Sequence, residues 1–258
     1  MISPHLRREM TYAAAGALAG AAAGKILRGD FGRAHDFALA LSTLLLAPAL
    51  IRNCPWYGDV ITRFRTTKNE VWLTIDDGPD PHDTPEILDV LQRHRARATF
   101  FVIGRKVMKY PALARAMVEA GHDLQNHTYS HSACCFWTAS PQGAAREIAL
   151  GSAAIHTVTR TQPTLFRAPA GLANPFVHAA AEKAGLIVTG WSADGRDGIS
   201  HKPDRVLSSI LRRLRPGRII LLHEGPVAGM PPGTRARTLD RLLRDLQSRN
   251  YRTVRPFP

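Results

Sequence analysis

From residue 71 onward, short apolar and β-branched runs alternate with stretches of helical period. The runs occupy 71–75, 98–103, 122–126, 164–167, 186–191, 218–222 and 251–254. Helix starts are marked by a residue before proline at Thr84-Pro85, Tyr110-Pro111, Ser140-Pro141, Asn174-Pro175 and Lys202-Pro203, and stops by Gly121, Gly185 and Gly217. Seven strand-then-helix units predict a parallel α/β domain over 70–258. Its simplest form is a barrel one unit short of the usual eight, with an open doubly wound sheet as the alternative.

Residues 1–69 follow a different pattern and form an N-terminal extension. Two apolar stretches, 11–24 (TYAAAGALAGAAAG) and 37–51 (FALALSTLLLAPALI), each fall short of the roughly 20 apolar residues that a spanning helix needs. Arg7, Arg8, Lys25, Arg28, Arg33 and Arg52 flank them, a layout expected of a membrane hairpin or interfacial anchor. A cleaved signal peptide and two amphipathic helices packed on the domain are the alternatives. The expected location is therefore the membrane or cell envelope, with the cytoplasm as the alternative.

Composition narrows the function. The chain has 258 residues, 45% of them hydrophobic, enough for a sizeable core. Lys plus Arg number 34 against 21 Asp plus Glu, a formal charge of +13 that favours anionic lipid or a phosphorylated substrate. The basic residues are scattered and carry no recognised nucleic-acid motif, so nucleic acid is not expected as a partner. Cys54, Cys134 and Cys135 cannot form an even disulfide framework, and the vicinal pair lacks structural-zinc spacing; free thiols are expected. Gly78 is followed by Pro79, not by the Lys-Ser or Lys-Thr of a phosphate loop.

The polar residues of interest fall at predicted strand ends. Asp76 and Asp77 follow the first strand, His127 the third; Arg167 ends the fourth, Asp194 and Asp197 lie beyond the fifth, and His223 follows the sixth. Parallel barrels build their active sites on that face. Two adjacent carboxylates repel each other unless a cation lies nearby. His127 and His131, four apart, project from one face of a helical turn and can grip one metal ion together with an aspartate of the Asp76-Asp77 pair. The other aspartate, next to the ion but not bound to it, is then free to act as a general base.

Together these segments resemble the polysaccharide deacetylase family (NodB homology, carbohydrate esterase family 4). Thr74-Ile75-Asp76-Asp77-Gly78-Pro79 is similar to its T-F-D-D-G-P motif and His127–His131 to its H-[ST]-x-x-H motif. Arg167-Ala168-Pro169-Ala170-Gly171 resembles its R-x-P-x-G motif, residues 191–197 partly resemble D-x-x-D-W, and Leu222-His223 resembles the last motif. The resemblance implies a deformed (β/α)7 barrel and a divalent metal, commonly zinc, that hydrolyses an N-acyl group, normally acetyl, from an amino sugar. It implies Asp77, His127 and His131 as metal ligands, Asp76 as base, and Arg167 as the residue orienting Asp76. His223 would be the acid, with Asp194 as its carboxylate partner and Asp197 as the other candidate. The Ala170 amide would serve the oxyanion, with Pro169, Trp191 and Leu222 around the substrate. The expected substrate is a carbohydrate or lipid-linked glycan. Ala170 and Gly198 stand where many members carry a Tyr and a Trp, which predicts a wider pocket. The alternatives are a deformylase, an amide or ester hydrolase on another substrate, and a catalytically silent carbohydrate-binding barrel.

Overall fold

The computed structural model describes residues 3–133, 135–200 and 202–256; Cys134 lies outside them, while among the described residues Cys54 and Cys135 form no disulfide, Cys135 with an exposed side chain. The sheet is organised around strand β1 (Glu70–Asp76), buried over six of its seven residues. Because side chains alternate along a strand, Val71, Leu73 and Ile75 point outward under the helices, whereas Trp72, Thr74 and Asp76 point into the barrel. Parallel neighbours β2 (Thr99–Val102) and β7 (Ile219–His223) set Thr74 level with Thr99 and Leu221. β3 (Asp123–Asn126), β4 (Leu165–Phe166) and β5 (Ile187–Val188) continue on the β2 side and β6 (Ala193–Asp194) on the β7 side. The order is β5-β4-β3-β2-β1-β7-β6, and β8 (Arg252–Thr253) pairs with the start of β1.

This is a curled parallel sheet with helices outside, the deformed (β/α)7 barrel expected. The predicted strand 186–191 is shorter than its apolar run, and the chain crosses at residues 189–192 to a strand the pattern did not reveal, β6. That crossing carries no helix. The gap between the sheet's edges is bridged by a strip preceding β1: the Ile61 N–H donates to the Val188 carbonyl, the Gly190 N–H to Ile61, and the Phe64 N–H to Gly217, at 2.8–2.9 Å. Ile61 and Phe64 also pack on the interior cluster of Trp72, Phe101, Leu165, Trp191 and Leu221. Part of the extension thus completes the barrel.

The outer core lies between the sheet and α3 (Asp83–Arg93), α5 (Pro111–Glu119), α8 (Pro203–Arg212) and α9 (Thr234–Ser248), which follow or precede the short α4 (Gly104–Lys109), α6 (Pro141–Thr159) and α7 (Pro175–Lys183) in chain order. Ser140 and Asn174 accept from the Gly143 and Val177 amides, so both proline-marked starts of α6 and α7 are true side-chain caps. Leu239, Leu242, Leu243 and Leu246 of α9 are all at least 98% buried, worth about 1.5–3 kcal/mol each. The first two helices, α1 (Pro4–Leu27) and α2 (Phe31–Leu46), bury far less. They pack on each other and dock through Arg8, 2.6 Å from Glu182, and through Tyr12 stacked on Phe176. Among the described residues, no helix is long and apolar enough to cross a membrane.

Candidate active site

Asp76 closes β1 facing inward, where Arg167 Nη1 donates to its Oδ1 at 2.6 Å. Arg167 is wholly buried, and its other donors reach the Thr74 hydroxyl and the Thr189 and Gly190 carbonyls, with the Phe101 ring 4.0 Å below the guanidinium. A buried guanidinium so completely engaged holds one carboxylate oxygen in a fixed position. The second oxygen, Oδ2, lies 3.7 Å from His127 Nε2.

Asp77 turns away from the strand at φ 73°, in the left-handed region that a non-glycine residue adopts at a cost. Its Oδ1 lies 3.1 Å from His131 Nε2 and 3.5 Å from His127 Nε2, and the three donors fall within 4.8 Å of one another. The tautomer of His127 follows from its other nitrogen: Nδ1 is 2.7 Å from the Arg167 carbonyl, which can only accept, so Nδ1 carries the hydrogen and Nε2 offers a lone pair. Residues 127–131 form no helical turn, contrary to the spacing argument. They form a loop in which Thr128 and His131 have positive φ, the Thr128 hydroxyl accepts from the His131 amide, and the imidazole centroids come within 4.7 Å.

The charge states of Asp77 and His131 suit a cation. Burial raises the Asp77 carboxyl, but His127, with His131 and His223, outweighs burial and holds it well below the usual carboxylate range. Burial, reinforced by His127, pushes His131 down to about 4, so its ring is neutral near pH 7. Asp77 Oδ1 is buried and satisfies no hydrogen bond within the protein. A buried, ionised, unbonded oxygen facing two imidazole Nε2 atoms, one from His127 and one from His131, fits a divalent metal.

Asp77 is followed by a cis Gly78-Pro79 peptide, and the Lys106 ammonium donates to its carbonyl at 2.6 Å. The glycine is demanded by close approach, since a Cβ there would stand 2.8 Å from Glu224 Oε1. Neither Lys106 nor the buried Glu224 was signalled by the sequence, because both act from distant elements.

His223 pairs with Asp197, not with Asp194. Its Nδ1 lies 2.8 Å from Asp197 Oδ1, while Asp197 Oδ2 accepts from the His223 amide and from Arg235. Asp194 instead accepts from the Trp191 indole at 2.7 Å, because β6 begins at Ala193 and Asp197 lies in the turn beyond it. Arg235, in the first turn of α9, had no sequence signal. Burial lowers the His223 pKa, but Asp197 outweighs it and carries the ring up to about 9, leaving an imidazolium at neutral pH that can protonate a leaving amine. In Asp197→Asn this support is lost. The alkaline limb of kcat/KM is then expected to fall from near pH 9 toward the ordinary histidine value of about 6.5, costing about 10–30-fold at pH 8 in a pH–rate profile.

Asp76, Asp77, His127, His131 and His223 line one cleft of about 250 Å³ at the strand C-termini. Ala170, at φ 55°, and Trp191 form its wall. Pro169 is buried behind Ala170 and Leu222 faces the outer core; the strand's alternation turns Leu221 to the cleft instead. Gly198 abuts the His223 ring, where a Cβ would come within 3.2 Å. Arg52 and Arg196 also line the cleft, and the sequence pattern singled out neither for this role.

The sequence model of the polysaccharide deacetylase family matches residues 64–189. The chain is 42% identical over 193 residues to the chitooligosaccharide deacetylase of Bradyrhizobium sp. (strain ANU 289), spanning 73% of this chain and 82% of that one. It is 32% identical over 184 residues to the peptidoglycan-N-acetylglucosamine deacetylase of Bacillus cereus, spanning 70% and 84%. A carbohydrate esterase family 4 pseudoenzyme from Bacillus anthracis has the same barrel, with TM-score 0.67 and 27% identity over 75% of this chain and 66% of that one. Fold and likeness together define a hydrolase of carbon–nitrogen bonds in linear amides. The chain belongs to the polysaccharide deacetylase family.

Proposed function

We propose that this protein is a zinc-dependent deacetylase of N-acetylated amino sugars in an envelope glycan or its lipid-linked form. The observation that carries the metal dependence is the convergence of Asp77 Oδ1, His127 Nε2 and His131 Nε2, with Asp77 Oδ1 buried and otherwise unbonded. Asp77, His127 and His131 would hold a divalent ion, which would supply Lewis acidity at the acyl oxygen and lower the pKa of water there. Asp76 Oδ2 takes the proton of the attacking water, and Arg167, bonded to Oδ1, keeps that carboxylate aimed. The Ala170 N–H donates to the developing oxyanion. The His223 imidazolium, oriented by Asp197, gives its proton to the departing amine.

Contact with an anionic membrane surface is supported by the tip of the α1–α2 hairpin, where Ile26, Leu27 and Phe31 are exposed beside Lys25, Arg28 and Arg33. The Bacillus anthracis pseudoenzyme makes the silent barrel a reading to test, although this chain retains Asp76, Asp77, His127, His131 and His223. Purified protein, with and without zinc, is assayed against N-acetylated and N-formylated sugars, lipid-linked ones included. Zinc-dependent release of acetate that a chelator abolishes is the expected result. Faster release of formate indicates a deformylase, and no release from zinc-loaded protein indicates a silent barrel.

A further inference from the structure

The floor and the rim of the cleft differ in charge. On the floor, Asp76 is matched by Arg167, and Asp77 faces the two histidines. On the rim, Arg52 and Arg196 line the cleft with exposed side chains, and among the described residues neither guanidinium takes part in an ion pair or side-chain hydrogen bond. Asp194 is the remaining acid of the lining, and one of its oxygens is taken by the Trp191 indole.

Both arginines are carried by rigid backbone. Asn53, at φ 55°, ties the Arg52 segment to the cleft wall: its N–H donates to the Gly171 carbonyl at 2.8 Å and its amide to the Trp191 carbonyl at 3.2 Å. Gly190 and Gly171 admit that side chain, since a Cβ would lie 2.4 Å and 3.0 Å from Asn53 Oδ1. Arg196, at φ 57°, sits between Gly195, wedged against Val206, and Asp197, bound to Arg235. Its carbonyl accepts from the Ile199 and Ser200 amides. Two guanidiniums on anchored backbone, unpaired among the described residues, over a cleft in which Asp76 is already matched by Arg167, form a receptor for an anion.

We infer that Arg52 and Arg196 are specificity-determining residues that recognise an anionic group, a phosphate or a carboxylate, on the amino sugar or the unit next to it. This rests on the cleft being the amino-sugar site. It also gives the N-terminal extension a part in substrate choice, because Arg52 comes from outside the strand-and-helix repeat.

The test is binding of three deacylated sugars that carry no scissile amide: glucosamine 1-phosphate, muramic acid and glucosamine, titrated into the zinc-loaded full chain by NMR or calorimetry. One or both anionic sugars are expected to bind about 5- to 30-fold tighter than glucosamine at low salt, with the preference fading toward 1 M salt. The sugar that gains identifies phosphate or carboxylate as the recognised group. Arg52→Ala/Arg196→Ala should bring the anionic sugars to the affinity of glucosamine, and Arg52→Lys/Arg196→Lys should keep part of the preference, with unchanged melting temperatures. Equal binding of all three sugars by the unmodified protein overturns the inference while leaving the deacetylase reading intact. A preference that survives the double alanine variant assigns the anion to the metal and also overturns it. No binding of any sugar overturns both readings.

Discussion

His131→Ala protein is expected to lose stoichiometric zinc and to hydrolyse amides only at background rate, while melting close to the unmodified protein. Of the three proposed ligands, His131 is the one whose removal disturbs least: its ring is partly exposed, and its structural hydrogen bond runs through its backbone amide to Thr128. Loss of an outer partner of a metal ligand already costs about 10–100-fold in affinity, so loss of one of three ligands costs more. His127→Ala should lose zinc equally but also destabilise, because it strips the Arg167 carbonyl of its buried partner, a penalty of about 1–3 kcal/mol. Elemental analysis and thermal melts separate the two effects. Full zinc occupancy in both variants would refute the assignment.

Asp76→Asn should keep its zinc and lose about 10²–10⁴-fold in kcat, since an amide preserves the shape of the carboxylate but cannot accept the proton. This substitution touches a buried ion pair, and uncoupling such a pair costs up to about 3–5 kcal/mol. Here the Arg167 charge retains the Thr74 hydroxyl, two carbonyls and the Phe101 face, so the folded protein should still be obtainable for assay at 25 °C. Zinc content, melting temperature and single-turnover rate are measured on one preparation. Turnover near the unmodified level in zinc-loaded Asp76→Asn would sink the base role and leave Asp76 as an anchor for Arg167.

Much of the barrel was legible because it is local. The apolar run into Asp76 forms β1, and the helix starts at Pro141 and Pro175 carry the Ser140 and Asn174 caps that the pattern announces. The placing of Asp76, Asp77, His127, Arg167 and His223 at strand C-termini was readable too, since in a parallel α/β chain those ends all open on one face. β6 was missed because two residues, Ala193 and Asp194, make no periodic run; pairing with β7 alone makes them a strand.

Sequence by itself determined the strand-and-helix alternation, the face that carries the chemistry and the residue types available there, because hydrophobic period and capping act between residues a few positions apart. Tertiary structure alone decided which members meet. The turn after β6 selected Asp197 over Asp194 for His223, and strand alternation put Leu221 rather than Leu222 in the cleft. A loop with two left-handed residues, rather than a helical turn, brought His127 and His131 together. Closure of the barrel drew in the strip at Ile61 and Phe64 and carried Arg52 to the rim. Those choices depend on the register, curvature and closure of the whole sheet, which join residues more than a hundred positions apart and leave no period in the chain for a local pattern to reveal.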